Sequence, residues 1–221
     1  FLTGDTLVCD SLLLSPDDAS LFLTTLDCNT FEIGTFQPQS KEELLTAIDL
    51  WIEYNSLALE TYGQINDWDL SLISDLSNLF QGRQAFNDNI TSWDVSNVIN
   101  MSHMFDDAAQ FNQNISSWNV SNVINMDGMF KSSSSFNQNL SSWDVSNVIT
   151  MKDMFMYAHS FNGNISDWDV SSVTEMSQMF ADAVVFNGEL NSWNVSNVVD
   201  MSEMFAGCIG FNQDISSWDV S

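Results

Sequence analysis

One interval of 25 residues recurs along most of this chain and constrains its fold more than any other feature of the sequence. The interval separates two series of aromatic residues: Trp68, Trp93, Trp118, Trp143, Trp168, Trp193 and Trp218, and Phe86, Phe111, Phe136, Phe161, Phe186 and Phe211. A fixed period of this length is typical of chains in which each repeat packs only against its two neighbours. We therefore expect a solenoid in which each column of side chains stacks along the axis.

The interior of one repeat favours short elements. Its apolar residues lie mostly two or three positions apart, which fits neither a sustained helix nor a long strand. Trp93-Asp94-Val95 alternates as a short β-strand does, and Asn97 and Asn112 mark bends. We expect mainly short β-strands, a second extended side, and a tight helical turn around Met104-Phe105.

The first 36 residues lack the period and are expected to form an N-terminal cap segment. They contain Cys9 and Cys28, whose pairing in a disulfide fits an oxidising compartment, and two free buried thiols are the alternative. Ser15 before Pro16 predicts the start of a short helix that ends near Leu26.

Residues 37–64 are expected to form an amphipathic helix that covers the open edge of the first repeat. Ser40-Lys41-Glu42-Glu43 is a capping box, which predicts the helix start. Residues 65–221 then form the repeat array, with a degenerate first repeat and an incomplete last one. Because the chain begins at Phe1 and stops at Ser221 inside a repeat, we expect it to be processed or part of a longer protein.

The charge balance excludes several classes of partner. Four Lys and Arg residues against thirty Asp and Glu give a formal charge of -26, which repels nucleic acids and anionic lipids. No apolar run approaches the ~20 residues that span a bilayer. The composition favours an extracellular or cell-surface protein, where salt or calcium screens the repulsion.

The outward position of the expected strand forms a column of acids and amides. Its members are Asp69, Asp94, Asn119, Asp144, Asp169, Asn194 and Asp219. Neighbouring strands lie ~4.8 Å apart, so unscreened carboxylates in this column repel one another. Calcium is the one ion that the column suggests, as a bridge or a ligand site. A solvated acidic face, softened by the asparagines, is the alternative.

A second column places aliphatic residues beside the inward valines. It comprises Ile99, Ile124, Ile149, Thr174 and Val199, each directly after a valine that we expect to be buried. Neighbours on an extended segment point to opposite faces, which predicts an exposed apolar stripe for assembly. A bend that buries both columns is the alternative.

Seven Asn-x-Ser/Thr sequons mark candidate glycosylation sites, at Asn89, Asn100, Asn114, Asn119, Asn139, Asn164 and Asn194. Four of them share one column between the buried Phe and the Trp. The alternative is that an Asn-rich repeat produces sequons by chance, and crowding between repeats limits occupancy.

No constellation of catalytic residues or cofactor site is found in the sequence. The methionine columns that begin at Met101 and Met104 are expected in the core, and Cys208 occupies a column of small residues as a buried thiol. His103 and His159 have no partner at metal-ligand spacing and are expected on the surface.

The run FNQNLSSWDVSNVITMKDMF, from Phe136 to Phe155, resembles the repeat of the BspA-type leucine-rich-repeat surface proteins, a family that includes the Mycoplasma-type lipoprotein repeats. The resemblance extends from about residue 40 to Ser221. It implies a right-handed, leucine-rich-repeat-like solenoid outside the cell, used for adhesion or as structural material, without catalytic residues. The Ile99 column departs from the family, which usually has Thr there.

Together these features predict a non-enzymatic structural or self-assembling surface protein. The alternative is an adhesion or receptor-like module that binds a protein or glycan through its acidic column. Self-association is the expected partnership; nucleic acid and direct membrane insertion are not expected.

Overall fold

A computed structural model describes residues 34–221 of the chain. Residues Thr35–Ser221 form one compact unit. The predicted disulfide between Cys9 and Cys28, and the helix predicted after Ser15, lie outside the described residues.

Two α-helices precede the repeats. Helix α1 spans Lys41–Glu53 and begins where the capping box predicts, because the Ser40 side chain accepts a hydrogen bond from the Glu43 backbone N–H. Helix α2 spans Asn55–Tyr62, so the predicted single helix is interrupted at Tyr54. A short 3-10 helix, Ile65–Asp67, leads into the first repeat.

Helix α1 packs against the first repeat with its apolar face. Leu44, Ala47 and Ile48 are fully buried, and the ring of Trp51 meets that of Trp68 edge-on at 6.0 Å between centroids. Lys41 Nζ lies 3.1 Å from a carboxylate oxygen of Asp75. This arrangement closes one side of the first repeat, as an amphipathic cap helix does.

The repeats stack in register. Isolated parallel bridges join Asp75 to Asn100, Asn100 to Asn125, and so on to Asp200, with one bridge per interval. Aromatic rings of equivalent residues lie face to face: the centroids of Phe105 and Phe130 are 5.6 Å apart with ring planes 5° from parallel. The expected columns of Phe, Trp, Val and Met are therefore the core, and the side chains of the two methionine columns are fully buried from Met101 to Met179.

Each repeat contains a turn segment, defined here as Met101 to Ala108 and its equivalents 25 residues before and after. The backbone N–H of Met104 bonds to the carbonyl of Met101, and that of Ala108 bonds to Phe105. The third residue of each turn has a positive φ, 54° at His103 and 57° at Asp107. Type II turns place their third residue in this region.

Alternate N–H groups of the turn segment bond to the next repeat instead. Met101 donates to the carbonyl of Asn125 at 2.9 Å and His103 to that of Asp127 at 2.7 Å. Phe105 donates in the same way to Met129. Alternate backbone N–H groups of the turn segment therefore bond within the segment and to the next repeat. This pairing leaves few buried polar groups without a partner.

The prediction of a leucine-rich-repeat-like solenoid built mainly from short β-strands with tight helical turns is wrong. Residues 34–221 contain no β-strand, and their helices all precede the first full repeat; the repeats consist of turns and loops joined by single bridges. The cause is local. Asp94 accepts a hydrogen bond from the Ser96 backbone N–H and ends the Trp-Asp-Val alternation in a turn. Positive φ at His103 and Asp107 likewise stops any helix.

No helix within residues 34–221 has both the length and the apolar character needed to cross a membrane.

Two glycine substitutions distinguish the cost of a positive φ from the cost of a close contact with the neighbouring repeat. Gly128→Ala adds a Cβ at φ +57° that would meet Nδ1 of His103 at 2.4 Å, whereas Gly82→Ala adds one at φ +72° with nothing within 4 Å. A left-handed conformation costs an L-residue about 1–2 kcal/mol. We expect thermal unfolding, followed by circular dichroism, to show a lower midpoint for Gly82→Ala and a lower one still for Gly128→Ala.

Gly34→Ala is the matched control, because Gly34 has an ordinary φ and open space around it. Its midpoint should equal that of the unmodified chain. Equal midpoints for all three variants would contradict the described turn geometry.

Candidate functional surfaces

The apolar column predicted from the sequence lies on the surface, and its neighbouring valines lie inside. Ile99, Ile124 and Ile149 are 47%, 46% and 42% exposed, whereas the valine that precedes each of them is fully buried. Thr174 continues the column half-exposed. The alternative in which a bend buries both columns is therefore excluded for these residues. We call Ile99, Ile124, Ile149, Thr174 and Val199 the apolar stripe.

A backbone ladder fixes the apolar stripe. Ile124 donates its N–H to the carbonyl of Ile99 at 2.8 Å, and Ile149 donates to Ile124 at 2.9 Å. Thr174 and then Val199 continue the series. The side chains therefore project at a constant interval from a backbone that cannot slip by one residue without losing these bonds.

The acidic column is shaped by turns rather than by a strand. Oδ1 of Asp94 accepts the backbone N–H of Ser96 at 3.0 Å, and Oδ1 of Asn119 accepts that of Ser121 at 3.2 Å. Asp144 makes the same bond to Ser146. One carboxylate oxygen of each acid is therefore engaged in an Asx turn, which Asn can form equally well. This equivalence explains how the column alternates between the two residue types without changing its backbone.

The same hydrogen bonds keep several of these acids ionised. The pKa of Asp94 is lowered by hydrogen bonds from the side chain and backbone of Ser96, against a small opposing effect of the neighbouring Asp69 charge. Ser171 lowers the pKa of Asp169 in the same way. A hydrogen bond to the charged form favours ionisation, so the column remains anionic despite its own repulsion.

Metal ligands do not converge on the acidic column. Among residues 34–221, no group of three or more Asp, Glu, His or Cys side chains is placed to hold one ion. A calcium ion on this column would have to complete its six to eight oxygen ligands with water and amide oxygens. Calcium binding remains a prediction to be tested.

The four-member sequon column lies at an exposed corner of the stack. Asn89, Asn114, Asn139 and Asn164 are exposed on consecutive repeats, each immediately before a fully buried Ile or Leu. Asn119 and Asn194 are exposed within the acidic column, and Asn100 is half-buried beside the apolar stripe. The seven predicted sites therefore occupy three different environments.

Several structural residues were not predicted from the sequence. Lys131 Nζ lies 3.0 Å from Oδ2 of Asp153, whose side chain is nearly buried and whose other oxygen has no partner among the described residues. His103, expected as an isolated surface residue, lies 3.1 Å from Asp106. Both contacts involve a left-handed residue of the turn segment: Asp153 meets a side chain of the preceding repeat, and His103 meets one of its own repeat. Asn, Asp, His and Gly are the residue types that favour this conformation, whereas Tyr157, Gln178 and Glu203 give no sequence signal for it.

The buried thiol predicted at Cys208 is confirmed. Cys208 is free and 8% exposed, and its Sγ lies 3.2 Å from the carbonyl oxygen of Ala183. Burial raises its pKa to about 11, so the thiol is protonated and unreactive at neutral pH. This side chain fills a small-residue position of the core.

Removing one hydroxyl group should change how the acidic column titrates. Ser96→Ala keeps the backbone donor to Asp94 but removes the side-chain donor, so the pKa of Asp94 should rise toward 3.8, its ordinary value. A lowered folded-state pKa stabilises the fold above the unfolded-state pKa, and that contribution is lost as the pH falls through the lowered value. NMR titration of the Asp94 carboxylate should show the rise, and acid unfolding should begin at a higher pH.

Ser121→Ala is the control, since the same hydroxyl there bonds to the neutral amide of Asn119. It should leave the pH dependence of unfolding unchanged. An Asp94 titration that does not respond to Ser96→Ala would refute the assigned hydrogen bond.

Specific calcium binding can be distinguished from charge screening by comparing different salts at the same ionic strength. Because the described residues offer no cluster of three charged ligands, we expect calcium, magnesium and sodium salts at equal ionic strength to raise the unfolding midpoint by similar amounts. Differential scanning fluorimetry and calorimetric titration measure this. A saturable calcium heat together with a calcium-specific midpoint shift would instead establish a site, and Asp94→Asn would locate it.

Comparison with known sequences gives one family. A sequence model described as "Mycoplasma protein of unknown function, DUF285" matches residues 53–167 and 139–221. No curated protein and no solved structure gives a significant match to the chain.

Proposed function

The chain belongs to the Mycoplasma repeat family of unknown function DUF285, and from that premise we propose that it is a non-enzymatic, extracellular structural protein that self-assembles laterally through the apolar stripe. The observation that supports this proposal is the exposure of Ile99, Ile124 and Ile149 on three consecutive repeats. The resemblance of its repeats to those of BspA-type surface proteins supports the placement at a cell surface.

The apolar stripe is suited to a multivalent contact. Full burial of one isoleucine contributes about 1.5–3 kcal/mol, so the exposed half of one side chain contributes roughly 1 kcal/mol. One such contact does not hold two proteins together. Three or more in register add up, because a regular array aligns them simultaneously.

The rigidity of the stripe lowers the cost of association. Its backbone is already fixed by the hydrogen bonds that link Ile99, Ile124, Ile149 and Thr174. Little backbone entropy is therefore lost when a second surface docks, and preorganisation of this kind strengthens binding without adding contacts.

The net charge of the chain opposes association and makes it dependent on salt. A formal charge of -26 repels a second copy over distances comparable with the Debye length, which is about 10 Å at 0.1 M ionic strength. The proposal therefore places assembly in a salt-rich medium. At low ionic strength the same chain should be monomeric.

An adhesion module is the second candidate, and the acidic column supports it. Asp94 and Asp169 carry ionised carboxylates on regularly spaced, exposed turns, and each uses one oxygen for the turn and leaves the other free. Such a face can accept hydrogen bonds from a basic protein or from glycan hydroxyl groups. This candidate predicts a monomer whose ligand affinity falls when the acids are replaced.

The structural proposal is tested by variants that decrease or increase the apolar area of the stripe. Ile99→Thr, Ile124→Thr and Ile149→Thr together should abolish concentration-dependent association in moderate salt, since they remove apolar surface without altering the buried valines. Thr174→Ile should strengthen association by extending the stripe. Sedimentation velocity over a range of protein and salt concentrations measures both effects.

Leu57→Gln on helix α2 is the matched control, because Leu57 is 50% exposed but lies outside the stripe. It should leave the association constant unchanged. A chain that remains monomeric at every salt concentration, or a triple variant that associates as before, would overturn lateral assembly and favour the adhesion candidate.

A further inference from the structure

The seven sequon asparagines share one local geometry. In each, Oδ1 accepts the backbone N–H of the Ser or Thr two residues later, at distances from 2.9 Å between Asn139 and Ser141 to 3.2 Å between Asn119 and Ser121. The Nδ2 atom of none of them donates to a group within residues 34–221. The carbonyl half of each amide is therefore engaged, and its amino half is free.

The turn itself does not require an amide. Asp214 occupies the same position of the repeat as Asn164 and makes the same bond, to the backbone N–H of Ser216 at 2.9 Å. Only the oxygen is used in the turn. The free amino group of the asparagines is thus available for a reaction that an aspartate could not undergo.

The environments of the sequons differ in access. Asn89, Asn114, Asn139 and Asn164 are exposed, and the column continues beyond Asn164 with the acids Glu189 and Asp214. Asn100 is half-buried, and its backbone takes part in the bridges to Asp75 and Asn125. Access to a large modifying enzyme therefore falls from the corner column to Asn100.

We propose that Asn89, Asn114, Asn139 and Asn164 form a column of N-linked glycosylation sites along one corner of the stack, and that Asn100 is not modified. The co-reactant is an oligosaccharide linked to a lipid pyrophosphate, transferred in a secretory compartment. The bond between the sugar anomeric carbon and the pyrophosphate oxygen breaks, and a bond from that carbon to Nδ2 forms. Nδ2 loses one proton, and the lipid pyrophosphate leaves. This inference rests on the extracellular location in the proposed function.

Crowding should shape the occupancy of this column. Equivalent rings on adjacent repeats lie 6.4 Å apart for Trp143 and Trp168 and 6.0 Å apart for Phe136 and Phe161. A branched oligosaccharide is wider than this interval. We therefore expect most molecules to carry glycans on non-adjacent members, such as Asn89 with Asn139 or Asn114 with Asn164.

Glycans at this corner would leave the apolar stripe uncovered. Two turns separate the corner from the stripe within a repeat, one closed by the Trp93 N–H on Ile90 and one by the Val98 N–H on Val95. A modified chain would therefore have one hydrated, bulky corner and one bare apolar face. Lateral contacts would be directed to the stripe.

The test maps the sites on the whole chain. The 221-residue chain is secreted from a eukaryotic host with a cleavable leader, and intact mass is measured before and after removal of N-glycans in heavy-oxygen water. That treatment converts each modified Asn to a labelled Asp, which peptide mass spectrometry locates. We expect label at the four corner positions, each in a fraction of the molecules, and none at Asn100.

A pair of variants separates glycosylation from folding. Thr91→Ala with Ser116→Ala, Ser141→Ala and Ser166→Ala keeps every backbone donor of the turns and removes the four sequons, so these sites should lose the label. Exchanging the hydroxyl residues, Thr91→Ser with Ser116→Thr, Ser141→Thr and Ser166→Thr, keeps the sequons and should keep the label.

Unlabelled corner sites in the secreted, folded chain, or label at Asn100 equal to that at the corner, would overturn the proposal. If the alanine variant is not secreted, the site map of the unmodified sequence still decides it. Lateral assembly is measured on material made without glycans, so failure of that function and failure of this inference are distinguishable.

Discussion

The hydrogen bonds that each turn segment donates to the next repeat are the interaction on which the rest of the structure depends. Met101, His103 and Phe105 each place an N–H on a carbonyl of the following repeat, and equivalent bonds recur at every interface up to Asp200 and beyond it to Ala206. They fix the register. Once register is fixed, equivalent Phe, Trp and Met side chains must stack, and the aromatic columns follow with ring separations near 6 Å. The surface columns are a consequence of the same constraint.

The acidic character of the chain is tolerated because its charges are arranged along local turns. Asp94 uses one oxygen to hold the backbone of Ser96, so its ionised form contributes to the turn while its repulsion from Asp69 acts against it. Asn119 then separates Asp94 from Asp144 along the column. Since one hydrogen bond to a charged group contributes about 1.5–3 kcal/mol when shielded and much less in water, the exposed column gains only modestly from each turn. Screening of the carboxylate repulsion by salt therefore contributes to the stability of this surface.

Sequence reasoning located the core and the exposed columns because both depend only on a constant period. The exposure of Ile99 beside the buried Val98 followed from alternation over two residues, which a loop held by a backbone ladder preserves as well as a strand does. The secondary structure was predicted wrongly for the same reason. Three alternating residues are compatible with a strand, but the Asx turn at Asp94, a bond to Ser96 of the same repeat, ends the alternation. The left-handed residues at His103 and Asp107 depend on hydrogen bonds to carbonyl groups of the next repeat. A single repeat does not contain that information.

The left-handed residues have a consequence for how the array forms. Within residues 34–221, twelve positions of the turn segments have a positive φ, two in each of six repeats, and nine of these twelve are not glycine. Tyr157 and Gln178 hold a conformation that costs an isolated L-residue about 1–2 kcal/mol and that cross-repeat hydrogen bonds must offset. One repeat by itself is therefore unstable, and each becomes stable only when a formed neighbour supplies the carbonyl groups. Folding should spread from repeat to repeat as a cooperative front, with a nucleus of several repeats against helix α1 rather than any single one.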